Sequence, residues 1–147
     1  MATTSFDHTK HKAMWAKIAE QLPDYVANKV MNTDYDAIIA IDDLKYKVLK
    51  ELYPNATLPL AYCFACEYGW SKVEVQNETA DKKYRCLYCP LEGWEADNCY
   101  SSLKVITPSL GLCQQLCQAV RYKNGTKAAE LATKIKNLSV KEGVPTV

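Results

Sequence analysis

Apolar residues recur at spacings of three and four in the first third of the chain, at Met14, Trp15, Ile18, Ala19 and Leu22, and such a stripe predicts an amphipathic helix. Asp7 or Thr9 is placed to cap it. Pro23 is expected to end that helix or to open a short second one through Tyr25, Val26 and Val30, because proline lacks the N–H that a helix interior uses. The strongest pattern covers residues 35–53. Ile38, Ile41, Leu44, Val48, Leu49 and Leu52 share one face there, Asp42, Asp43, Lys45 and Lys47 lie largely opposite, and Pro54 closes the helix. From 54 to 100 no helical period is sustained. Within that stretch Lys72-Val73-Glu74-Val75-Gln76 alternates as a strand, Asn77 to Lys82 reads as a turn, and Lys83 to Leu87 as the returning strand of a hairpin. Helical spacing resumes with Leu112, Leu116, Ala119 and Val120, and again with Ala128, Leu131, Ala132, Ile135 and Leu138. Asn124-Gly125 breaks the two apart, with Thr126 as the natural cap of the second.

These elements predict an α+β fold, a mainly helical single domain around a small β-hairpin. Its parts are N-terminal helices over 1–53, a central hairpin region over 54–100, C-terminal helices over 101–140 and a frayed tail over 141–147. Trp15, Ile18, Leu44, Val48, Leu131 and Ile135 are its expected core. A chain of 147 residues buries roughly 70% of the surface its unfolded form exposes, enough for one core without staples. Hydrophobic residues at 48% and charged residues at 24% are ordinary globular values.

Charge changes the picture little. Eighteen Lys+Arg against seventeen Asp+Glu leave a net charge of +1, with no broad field to attract nucleic acid or an anionic membrane. The local exception is Arg121, Lys123, Lys127, Lys134, Lys136 and Lys141 against Glu130 alone, which reads as a solvated helix face. No run of eighteen apolar residues is present and the first twelve residues lack a signal-peptide core, so the expected location is the cytoplasm, without membrane insertion.

In a reducing compartment seven cysteines are not a disulfide framework. Cys63-Phe64-Ala65-Cys66 and Cys86-Leu87-Tyr88-Cys89 form two C-x-x-C pairs nineteen residues apart. Each pair can wrap a metal in a tight knuckle, and a hairpin between them brings four thiolates into the tetrahedron that structural Zn²⁺ favours. The four form a zinc-ribbon or treble-clef-like site, with Gly69 in the turn that lets backbone N–H groups approach the sulfurs and Pro90 opening a helical turn after the second pair. Redox dithiols, an iron–sulfur cluster and four unrelated buried cysteines are the competing readings. Cys113 and Cys117 lie one helical turn apart and read as core packing, Cys99 is unassigned, and His8 and His11 read as surface histidines.

Eight of the fifteen aromatic residues fall between 62 and 100, more than packing over a metal site requires. Trp70, Tyr84, Tyr88 and Trp94 beside Lys72, Lys82, Lys83 and Arg85 are therefore the expected partner surface, suited to a protein or to single-stranded nucleic acid. Catalysis is not expected. Four thiolates leave zinc no open position, and the chain carries no G-x-S-x-G, no phosphate-binding glycine loop, no H-E-x-x-H and no deaminase signature.

The sequence resembles a group of small, largely uncharacterised tailed-bacteriophage proteins. The resembling pieces are His11-Lys12 shortly before Trp15 and an Ile-Ala pair, the block Cys63-Phe64-Ala65-Cys66-Glu67-Tyr68, then Cys86-x-x-Cys89-Pro90-Leu91 with Trp94, and the helix ahead of Leu138. The resemblance implies a viral accessory protein with a structural metal, acting in the infected bacterial cytoplasm. Its expected partner is a host or viral protein, as for an inhibitor of a host factor or defence component, with nucleic-acid binding as the alternative and capture of a small nucleotide signal as the third reading.

Overall fold

The computed structural model of the chain describes residues 5–56, 64–75, 89–94 and 111–147. Their elements run α1 (His8–Ala27), α2 (Asp34–Leu52), α3 (Phe64–Val75), β1 (Leu91–Glu92), α4 (Leu112–Arg121), α5 (Gly125–Lys136) and β2 (Ser139–Val140). The protein is mainly helical with one small antiparallel two-stranded sheet.

Helix α1 starts at Asp7, whose side chain accepts from the Lys10 N–H at 3.0 Å. Its buried stripe, His11, Met14, Trp15, Ile18, Leu22 and Val26, follows helical spacing through Pro23 and on to the last turn. Proline therefore neither ends this helix nor opens another. The partner helix explains how the crossing is accommodated: a Cβ on Gly125 would lie 2.8 Å from the Pro23 Cα, so only glycine lets the start of α5 approach α1 there. Asn124, not Thr126, caps α5, accepting from the Lys127 N–H at 3.1 Å. Gly125→Ala should lower stability by about 1–3 kcal/mol, despite alanine's better helix propensity, because a backbone atom must move to admit the methyl. A denaturant titration with a shifted midpoint and unchanged slope is the expected result.

Helix α2 opens with a reciprocal capping box between Thr33 and Asp36. The Asn32 N–H donates to Asp36 Oδ2 at 2.8 Å, and this bond foremost holds the Asp36 carboxyl below the usual carboxylate range. Its buried face is Ala37, Ala40, Ile41, Leu44, Val48 and Leu49. The expected face was rotated slightly from this one: Ile38 is 37% exposed, and the small residues Ala37 and Ala40 take the core positions. Glu51 joins α2 to α1, pairing with Lys17 at 3.4 Å and accepting from Gln21 Nε2 at 3.2 Å.

A single cluster of buried side chains draws on all five described helices and β1, with α1 packing most extensively on α5. All six expected core residues lie in it. Residue Arg121 departs from the expected solvated face. Its guanidinium donates to the Met31 and Asn32 carbonyls at 2.9 and 2.6 Å and lies 3.7 Å from Asp34, tying the end of α4 to the α1–α2 connection.

Three local expectations are overturned. Residues Lys72–Val75, read as a strand, form the end of α3, and Gly69, read as a turn, is buried inside the same helix. Four alternating residues fit either period, whereas Ala65, Tyr68 and Gly69 bury at helical spacing and extend a helix already nucleated. Gln76 and the returning strand Lys83–Leu87 lie outside the described residues. The tail is not frayed. The Phe6 N–H donates to the Pro145 carbonyl at 2.8 Å, the Val147 N–H to the Phe6 carbonyl at 3.2 Å, and Phe6 itself is buried. Backbone pairing with the segment before α1, invisible to side-chain patterning, holds it.

Candidate metal centre and its surroundings

Cys66 lies in the first turn of α3 and is half-buried. Cys89 is also half-buried, directly before Pro90 and β1. Both cysteines pack against the single core cluster. The chemistry of these two donors suits zinc. Cys63 and Cys86 lie outside the described residues, as does Cys99. Among the described residues, no group of three or more His, Cys, Asp or Glu side chains is gathered to hold a metal ion. Cys117 is buried and Cys113 half-buried on α4, consistent with packing.

The chain anchors both cysteine-bearing segments to one corner of the helical bundle. On one side, Tyr68 of α3 meets the Phe6 ring edge-on at 6.2 Å. On the other, β1 pairs with β2 in the register Leu91↔Val140 and Glu92↔Ser139, and the Lys141 N–H donates to the Pro90 carbonyl at 2.8 Å. The tail then continues from β2 to Phe6. Phe6 and the C-terminal tail thus connect the surroundings of Cys66 with those of Cys89.

The same corner holds the two histidines. His11 is 1% exposed, not a surface residue. Its ring lies 5.7 Å from Phe6, 6.4 Å from Trp15 and 5.9 Å from His8, and its Nε2 is 3.0 Å from the Ile135 carbonyl. The carbonyl can only accept, so Nε2 carries the proton and donates across the α1–α5 seam. Burial foremost, opposed by that bond, lowers the His11 pKa from 6.5 to about 4. The His8 pKa is lowered too, by burial and then by Lys12. Spacing did contain the signal: His11 precedes Met14, Trp15 and Ile18 by three, four and seven residues and so falls on their face.

The expected partner surface is corrected at one position. Trp94 is 9% exposed and belongs to the core, with its carbonyl accepting from the Leu112 N–H at 3.2 Å. The side chains of Trp70 and Lys72, and residues Lys82, Lys83, Tyr84, Arg85 and Tyr88 altogether, lie outside the described residues. No described helix is long and apolar enough to cross a membrane. No protein-family model matches the chain, and neither a curated protein nor a solved structure matches it.

Proposed function

We propose that this is a non-enzymatic phage accessory protein, stapled by one structural Zn²⁺ on Cys63, Cys66, Cys86 and Cys89, that acts in the cytoplasm of the infected bacterium by binding a host or viral protein. The observation that carries the reading is the placement of Cys66 and Cys89, both half-buried against one core and both on segments tied to the corner formed by Phe6 and the C-terminal tail. A closed thiolate site does no chemistry of its own; it fixes the segments that bear it, and a fixed surface is what a binding protein needs. The near-neutral charge of the chain supports a protein partner over nucleic acid, whose nonspecific affinity rests chiefly on phosphate neutralisation.

Elemental analysis of the purified protein should find one zinc per chain, and Cys66→Ser should release it. Because metal binding and folding are linked, chelation of the wild-type protein should also lower its melting temperature, with little further effect on the variant. Protein without bound metal and with unchanged melting in chelator would refute the zinc assignment. Retention on single-stranded DNA that falls steeply with salt would move the reading to nucleic acid.

A further inference from the structure

Asn124-Gly125 is a chemically labile pair, and no other asparagine in the chain precedes glycine. Glycine offers a backbone nitrogen with no Cβ beside it to obstruct attack on the asparagine side chain. In that reaction the Gly125 nitrogen gives up its proton and bonds to Asn124 Cγ, the Cγ–Nδ2 bond breaks, and the amide nitrogen leaves with the proton as ammonia, closing a five-membered succinimide. Water then opens the ring. Cleavage at the side-chain carbonyl gives aspartate, and cleavage at the backbone carbonyl gives isoaspartate, in which the chain runs through Cβ and is one atom longer.

The fold holds the pair out of this geometry. Asn124 is exposed, so water reaches it and access is not what closes the site. Ring closure needs the Gly125 nitrogen on the same side as Cβ, at a ψ of about −120°, outside the helical and extended regions. The Asn124 ψ is 79°, which turns that nitrogen to the opposite side. Three hydrogen bonds fix it there: the side-chain oxygen accepts from the Lys127 N–H at 3.1 Å, the Asn124 N–H donates to the Ala119 carbonyl at 2.8 Å, and the Asn124 carbonyl accepts from the Ala128 N–H at 2.9 Å. Gly125 is pressed against α1, where even a Cβ would come within 2.8 Å of the Pro23 Cα. Rotating ψ therefore means breaking the cap and lifting the first turn of α5 from α1.

We propose that Asn124 is a deamidation site which the native α1–α5 contact keeps closed, and that isoaspartate, once formed during an opening of that seam, prevents the first turn of α5 from docking again. The two products act differently. Aspartate keeps the cap, with its carboxylate on the Lys127 N–H at the helix start. Isoaspartate adds a backbone atom where Gly125 has no room beside Pro23. The step needs water alone, so it depends on neither the metal nor the partner.

The test incubates the full-length, metal-loaded protein at mildly alkaline pH beside a sample held in guanidinium chloride, and maps the products by peptide mass spectrometry with isoaspartate resolved from aspartate. Asn124 should convert in the denatured chain about tenfold faster or more than in the native protein, since reaction from a closed state is limited by its opening. Ile135→Ala, which weakens the same seam away from the reacting atoms, should raise the native rate by about tenfold or more. Wild type in guanidinium below its unfolding midpoint gives the same reading without a substitution. Isoaspartyl protein, refolded and reloaded with zinc, should melt below the starting material, whereas Asn124→Asp should melt no lower than wild type. Equal rates in native and denatured protein, an Ile135→Ala rate equal to wild type despite lower melting, or isoaspartyl protein that melts like wild type would each overturn the proposal. So would a denatured chain in which Asn124 does not convert.

Discussion

Truncating Ile135 to alanine should destabilise the protein by about 3–4 kcal/mol, among the largest losses a single core substitution produces here. Ile135 is fully buried on α5, the helix against which α1 packs most extensively. Removing its side chain forfeits the transfer free energy of three carbons and leaves a cavity lined by rigid helices that cannot easily collapse. Its carbonyl is also the acceptor for His11, so any shift of α5 into the cavity would strain that buried bond. Ile39→Ala, on the exposed side of α2, should change stability by less than about 0.5 kcal/mol. Chemical denaturation of the two variants beside wild type checks the contrast. A loss below about 1 kcal/mol for Ile135→Ala would mean that the α1–α5 seam is not the centre of the core.

Acidification should remove a comparable amount through His11. Its pKa is lowered from 6.5 to about 4 on folding, so between those values the unfolded chain binds more protons than the native one, and stability rises with pH. The contribution is fully present above pH 6.5 and is lost progressively as pH falls toward 4. A tenfold change in a proton's binding constant is about 1.4 kcal/mol, which makes the full effect about 3 kcal/mol. His8, whose pKa is also lowered, adds to the slope in the same direction. Melting temperatures recorded from pH 7.5 down to 4 should fall most steeply below 6.5. His11→Leu should show a flatter pH dependence, while the Ile135 carbonyl keeps its bond from the Leu138 N–H at 3.3 Å. An unchanged slope in that variant would remove His11 as its source.

The histidine pair and the tail show where patterning stops. In α1, α4 and α5 the apolar stripe points at the core, and in α2 it does so but for Ile38, because burial of a helix face repeats every three to four residues whatever the partner is. His11 obeyed the same period. What offsets the cost of its burial is an acceptor 124 residues away. The tail carries no apolar period. Its place depends on the Phe6 N–H meeting the Pro145 carbonyl, and a backbone carbonyl is the same in every residue.

Helix α3 marks the other limit. Among its described side chains Ala65, Glu67, Tyr68, Gly69 and Ser71 are buried, a mixed set that announces no apolar period, and the alternation at its end suits a strand equally well. Packing of Tyr68 against Phe6, from a distant part of the chain, accompanies the helical choice. The two C-x-x-C pairs, by contrast, are legible as a motif without any fold, since the thiols of each pair are close through covalent connection alone. The sequence by itself therefore determined most of the helical bundle's buried faces and the mainly helical class. Only the tertiary structure decided the unbroken passage of α1 through Pro23 beside Gly125, the burial of His11 and Trp94 and the docking of the tail on Phe6. Each of these depends on what a distant segment places opposite the residue, and local spacing carries no information about that.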